Sequence, residues 1–478
     1  MKRKQIQSIT PLVIPSQLII GLFALVVSAT SYGQSTEVTF HKDIEPILQR
    51  SCQNCHRDGG VAPMSLVTYD QVAPFAGLIE YKTGLRDRAG AMPPWYVEKD
   101  IGIQQLKYDP SLNDEEIAAI STWARSGAPQ GNPADAPEAL SFDDTTKWKL
   151  GEPDLIVNTE DFFMAGDRPD WWGELPRIPT GMTEDRYVKS IEVVEVNDVG
   201  SAGAEANETV GGLFIFHHMI WRTEELDESG AVIGRAVNWP VHEVGRNGDV
   251  FDPEAGLLLK ANSVFATDSV HMHSNGRDTT AHLQLGFTFH PEGYEPKYKT
   301  AISFVGNGVD ISIEGDGKDQ ELHAYSVLTE NTKVITFEPH LHAPGERMCL
   351  EAIWGYSVET LSCVGYDHNW VRGYPFANDY TPLLPKGTVL HITGYFNNTS
   401  ENFNVPDARN WQGSGNRSVT NMFIDLGIRV SMTDEQFMEE MENRRNKLNL
   451  GPNDHIIGCP LCLAPLVWPI ANTSGDSE

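Results

Sequence analysis

Positive charge is what this chain has least of. Lys and Arg number 36 against 66 Asp and Glu, a formal net charge of −30. That balance excludes nucleic acid and an anionic membrane surface as natural partners, because both recruit proteins through Lys and Arg. Long hydrophobic runs are also missing. Beyond the N-terminus no segment approaches the ~20 apolar residues that cross a bilayer, which excludes an integral membrane protein built on helices unless the N-terminal segment is retained. Cysteine is sparse, six in 478 residues, so the fold does not depend on a dense disulfide framework. The length implies roughly two to four domains.

Export is signalled at the start. Lys2, Arg3 and Lys4 precede a short apolar core, Leu18 to Val27, and small residues follow from Ala29 to Gly33. This is the pattern of a secretory signal over residues 1–33, with cleavage before Gln34 and an uncleaved anchor as the alternative. A periplasmic or secreted protein is expected.

The most specific motif is Cys52-Gln53-Asn54-Cys55-His56. CxxCH attaches c-type haem: two thiols add to the haem vinyl groups and the adjacent imidazole takes an axial position on iron. A redox CxxC that happens to precede a histidine is the bland alternative. Residues 38–128 read as a small all-α cytochrome c domain. Ile44, Ile47 and Leu48 have helical spacing, Asn113 and Glu116 form a helix N-cap, and Gly127 sits where that helix should stop. An opening helix leading into CxxCH and a closing amphipathic helix resemble small cytochromes c. Met92, in Ala91-Met92-Pro93-Pro94-Trp95, is the expected sixth ligand, with Met64 as its rival. One covalent haem c is therefore expected, on Cys52, Cys55, His56 and Met92.

Residues 129–145, rich in Pro, Ala and Gly, read as a linker. Beyond them Tyr187–Val196, Leu213–Trp221, Leu283–Phe289, Lys333–Phe337 and Thr388–Phe396 are β-rich runs parted by turn residues. They predict two all-β sandwiches, over 146–300 and 301–432, followed by a C-terminal helix and tail over 433–478. Four cysteines remain outside CxxCH: Cys349, Cys363, Cys459 and Cys462. Cys349–Cys363 is the favoured disulfide, and Cys459-Pro-Leu-Cys462 is either structural or a redox or copper-handling CxxC.

Histidines mark the chemistry of the β region. His217 and His218 are adjacent, while His271/His273 and His340/His342 are HxH pairs. Residues two apart share one face of a strand, so an HxH can aim two imidazoles at one metal. Adjacent histidines face opposite sides, so the chain must twist at His217–His218 if both hold one ion. These residues, with Pro339-His340-Leu341-His342-Ala343-Pro344-Gly345 and Asn421-Met422, occur in the order seen in copper type II, ascorbate-dependent monooxygenases. The chain resembles that family, whose members include peptidylglycine α-hydroxylating and dopamine β-monooxygenases, over about residues 150 to 430.

The resemblance implies two jelly-roll-like sandwiches and two copper ions. His217, His218 and His271 would hold an electron-transfer copper. His340, His342 and Met422 would form the catalytic copper site that meets O₂. His273 shares a face with His271 and is a rival or supporting donor. Glu338 stands where peptide-processing relatives carry an arginine that grips a substrate carboxylate, which argues against a peptidylglycine substrate. The implied activity is hydroxylation of a C–H bond of a small organic molecule. Electrons would come from an external donor, such as a redox protein, through the fused haem. A copper-binding electron carrier or copper-handling protein without hydroxylase activity is the alternative, and a sandwich with purely structural histidines a third.

Overall fold

Alternating burial builds the first half of the β region. In the computed structural model, which describes residues 37–58, 60–142, 147–199, 213–246, 248–302, 304–306, 308–415, 420–451 and 454–460, the strand Thr279–Phe289 buries Ala281, Leu283, Leu285 and Phe287 and turns the intervening residues outward. It pairs antiparallel with Arg186–Asn197. Leu155–Asn158, Phe162–Met164, Gly248–Val250 and Leu257–Leu259 complete that sheet. A second sheet is built on Phe216–Leu226 and Ser263–Met272, with Val232–Asn238 at one edge. The two sheets bury a common core. Trp221 stacks on Trp239 with ring centroids 5.6 Å apart, and Phe287 meets Trp239 at 5.3 Å. Burial of a side chain such as Phe287 contributes about 1.5–3 kcal/mol.

The second half repeats the principle with a different sheet order. Val97–Gly102, Ser357–Gly365, Gly345–Trp354, Val389–Phe396 and Gln320–Val327 form one five-stranded sheet, in that spatial order. Its inner face, with Met348, Leu350, Leu361, Val364 and Ile392, packs against Val334, Phe337, Leu341 and Phe423 from smaller opposing sheets. Cys349 and Cys363 lie directly opposite each other on neighbouring strands and form the disulfide favoured from the sequence. Cys459 is also disulfide-bonded. Cys462, the signal segment and most of the small-residue loop 197–212 lie outside the described residues.

The expectation of an all-α segment over 38–128 needs correction. Helices are there, at Glu45–Ser51, Tyr69–Val72, Ala76–Gly84 and Asp114–Arg125, around Phe40, Ile44, Leu48, Ile79, Ile120 and Trp123. The Asn113–Glu116 capping box forms reciprocally. Val97–Gly102, however, is a strand of the five-stranded sheet, with Val97 opposite Val364 and Gly102 opposite Ser362. An edge strand with unpaired amides recruits another strand, and Ser357–Gly365 supplies that edge. The protein is mostly β, and no helix among the described residues is long and apolar enough to cross a membrane. The C-terminal helix runs Asp434–Lys447 from a Thr433–Gln436 capping box and buries Phe437 and Met441.

Candidate metal centre

The adjacent histidines are made convergent by a β-bulge. In the pairing of Phe216–Leu226 with Ser263–Met272, His218 lies opposite His271, but the next partners are Phe216 and Met272. His217 is the extra residue. A bulge bends the strand and re-aims a side chain, so His217 and His218 turn toward one point. Their Nδ1 atoms face each other at 3.5 Å. Two nitrogens on one tetrahedral ion, with metal–nitrogen bonds of about 2.0–2.1 Å, lie ~3.4 Å apart. His271 completes the set: ring centroids are 5.0 Å from His217 and 5.2 Å from His218. One donor atom from each of His217, His218 and His271 falls within 4.8 Å of the others, and all three residues are buried.

Hydrogen bonds choose the donor atoms. His217 donates from Nε2 to the carbonyl of His368 at 3.2 Å, and His271 donates from Nε2 to Asp170 at 2.9 Å. Each bond fixes the tautomer with Nδ1 free as a lone-pair donor. Trp172 stacks on the His271 ring at 4.6 Å and holds its plane. Burial, reinforced by neighbouring imidazoles, holds His217 and His218 well below the ordinary histidine range. The neutral imidazole is the form that binds metal. His273, held down to about 4 mainly by burial, joins Asp170 and His271 in an overlapping set. The alternative donor weighed from the sequence therefore lies within reach.

His340 and His342 follow the opposite scheme. His340 lies in the middle of the short strand Pro339–Leu341 and His342 directly follows it, with centroids 5.4 Å apart. His340 donates from Nδ1 to Glu243 at 2.6 Å, and His342 donates from Nδ1 to the carbonyl of Thr420 at 2.9 Å. Each bond places the ring proton on Nδ1 and the lone pair on Nε2. Glu243 belongs to the first sandwich, paired with His218, so one sandwich orients a histidine of the other. Met422 is half-buried and immediately precedes Phe423–Asp425, the strand that pairs with Pro339–Leu341. The pair Leu341–Phe423 is adjacent to His342 and Met422 on their two strands.

The two histidine sets adjoin: His218 and His340 lie 6.2 Å apart by centroid. A buried ion pair closes the same interface, with Arg246 bonded to Glu338 and, at 2.7 Å, to Asp249. Glu338 is thus committed to Arg246. Glu243, Asp170 and His368 were not selected from the sequence. Nothing in their local pattern marks them, since their roles exist only once strands distant in sequence meet.

In the helical segment Cys52 and Cys55 are free, and burial pushes the Cys52 thiol up to about 12 and raises that of Cys55. His56 donates from Nδ1 to the carbonyl of Met64 at 3.2 Å, leaving Nε2 available. Met92 is 39% exposed and borders a pocket with Thr83, Trp95, Leu112 and Ile117.

No family model matches this chain, and no curated protein does. Among solved structures it is similar to peptide N-glycanase F, the glycosylasparaginase of Flavobacterium meningosepticum, at 10% identity, with 59% of this chain and 97% of that chain covered and a TM-score of 0.24. It is similar to the exported protein XepA of PBSX at 7% identity, 51% and 86% coverage and a TM-score of 0.16. Likenesses this slight carry no argument about this chain.

Proposed function

We propose that this protein is an exported, copper-dependent monooxygenase that hydroxylates a C–H bond of a small organic substrate with O₂, with electrons entering through a covalent haem c. The observation that carries the reading is the division of donor atoms: Nδ1 from His217 and His271, and Nε2 from His340 and His342, each outer hydrogen bond selecting the tautomer, with His218 presenting its Nδ1 3.5 Å from that of His217. Imidazole suits both copper oxidation states, and the thioether of Met422 favours Cu(I). Bound there, copper would supply one-electron chemistry and O₂ activation.

The chain's own residues set the stage for that chemistry. The bulge at His217 fixes the first donor set within one sandwich, where Trp172 and Asp170 orient His271. Glu243 and the Thr420 carbonyl hold the Nδ1 protons of His340 and His342, so neither ring can rotate its donor away. The Arg246–Glu338 pair occupies the position from which relatives grip a carboxylate, which favours a substrate without one.

The haem assignment rests on CxxCH, on His56 Nε2 being left free, and on raised thiols that are poorly suited to a redox CxxC. Met92 is the proposed sixth ligand. The fold reading in these terms is a haem-binding segment of short helices that lends one strand to the second of two jelly-roll-like sandwiches, in the periplasm or secreted.

A second reading, a copper-binding electron carrier without hydroxylase activity, is favoured by the close approach of the two histidine sets. One experiment separates them. His340→Ala should abolish O₂ uptake coupled to product formation, under ascorbate or a reduced donor, while the haem spectrum stays unchanged. Unchanged turnover in that variant would overturn the monooxygenase reading. Copper binding without O₂ uptake in the wild type would favour the carrier.

A further inference from the structure

His271 stands between two sets of donors. Its strand, Ser263–Met272, pairs with Phe216–Leu226 on one side and with Trp171–Gly173 on the other. His217 and His218 come from the first neighbour. Asp170 comes from the second, one residue ahead of Trp171–Gly173, in which Trp172 lies directly opposite His271. His273 follows His271 by two residues. Its N–H donates to the Ile215 carbonyl at 3.0 Å, which keeps the chain extended beyond the strand. The His271 and His273 rings therefore share a side, with centroids 5.1 Å apart.

One donor atom from each of Asp170, His271 and His273 falls within 4.8 Å of the others. The Asp170 carboxylate lies 2.9 Å from His271 Nε2. Two donors at right angles on one ion, with bonds of about 2.0–2.1 Å, stand about 2.9 Å apart. A spacing held by a proton thus also suits an ion. His273 supplies an independent observation. The residue is buried, and its Nε2 has no hydrogen-bond partner. A buried polar atom left in that state costs about 1–3 kcal/mol, and an ion shared with Asp170 and His271 would remove the cost. Access separates this set from the other. The Asp170 side chain is 31% exposed, whereas His217, His218 and His271 are at most 6% exposed. Solvent reaches the pair of sets at Asp170.

Resting on the copper reading of the three-histidine set, we infer that Asp170, His271 and His273 form a second, outward position for a divalent copper ion, through which the ion enters that buried set. A carboxylate and two imidazoles suit Cu(II) in tetragonal geometry, whereas three imidazoles suit both oxidation states. The two positions exclude each other, because a neutral imidazole has one lone pair. With the ion outward, His271 binds it through Nε2 and carries its proton on Nδ1. With the ion inward, His271 binds through Nδ1 and the proton returns to Nε2, where the Asp170 carboxylate accepts it. The hydrogen bond between Asp170 and His271 is therefore the arrangement that favours the inner position.

The test uses the full-length haem-containing protein freed of copper, in a His340→Ala background so that the first sandwich alone binds the ion. Cu(II) is added as its weak glycine complex, and uptake is followed by stopped-flow absorbance and rapid-freeze electron paramagnetic resonance. His273→Phe should reach the parental copper content at equilibrium but load about tenfold more slowly, because the outward position no longer concentrates the ion beside the buried set. His217→Phe, which breaks the inner set, should still bind one Cu(II) with couplings from two nitrogens, and adding His273→Phe should abolish that binding. Loading of His273→Phe at the parental rate would overturn the inference and leave the copper reading intact, as would a folded His217→Phe variant that takes up no Cu(II). If His217→Phe does not fold, the loading rate of His273→Phe decides alone. A His340→Ala parent that binds no copper would overturn the copper reading and this inference together.

Discussion

The two histidine sets are assembled by different physics. His217, His218 and His271 come from adjacent strands of one sheet, and a single bulge brings them together. His340 and His342 share a strand end, yet His340 takes its orientation from Glu243, contributed by the other sandwich. The donors of the first set all stand on one sheet and inherit the rigidity of its core, and only the outer bond of His217, to the His368 carbonyl, crosses to the other sandwich. The second is completed across an interface and depends on that interface staying closed. Disturbing the interface should therefore damage the second set before the first.

The largest effect is expected from Arg246→Ala. It leaves Glu338 buried and unpaired, and breaking a buried pair this way costs about 3–5 kcal/mol. Chemical denaturation should show that loss, and copper titration should show the second ion released before the first. Equal loss of both ions would mean that the sets are not independent.

Next comes acid. His242, buried beside Glu243, is held down to about 4, first by burial and then by Arg246. Its folded value is depressed, so its contribution is fully present above the ordinary value near 6.5 and is lost as pH falls from there toward 4. At about 1.4 kcal/mol per pH unit, that is roughly 3 kcal/mol. Metal-free protein should lose stability over that window, and His242→Gln should flatten the slope. An unchanged slope would show that other groups dominate.

The smallest effect sharpens the comparison most. Glu243→Gln keeps the shape and removes the charge that holds His340, so affinity for the second copper should fall about 10–100-fold, with the first unaffected. Chelator competition resolves the two. A wild-type second site in Glu243→Gln would assign the ring's orientation to packing alone.

Several elements were legible in advance because they are short-range. The capping box at Asn113, the strand beneath Leu283–Phe289 and the Cys349–Cys363 pairing rest on neighbours along the chain or on simple alternation. Val97–Gly102 was hidden because Val-Glu-Lys-Asp-Ile-Gly reads as a charged loop, and only the free edge of Ser357–Gly365 makes it a strand. The bulge at His217 was equally hidden, since a register shift belongs to a pair of strands and not to either one.

The sequence by itself determined which donors are available: the CxxCH thiols and imidazole, the HxH pairs on single strands, and an acidic chain with an export-type start. Periodicity and motif spacing are properties of one segment, so they can be read from one segment. Only the tertiary structure decided which ring nitrogens of His217, His271, His340 and His342 carry the proton and which carboxylate or carbonyl holds it. Those choices are made by Asp170, Glu243 and the His368 carbonyl, groups about a hundred or more residues away from the rings they orient. No local pattern encodes a hydrogen bond between strands that meet only when the sandwiches close.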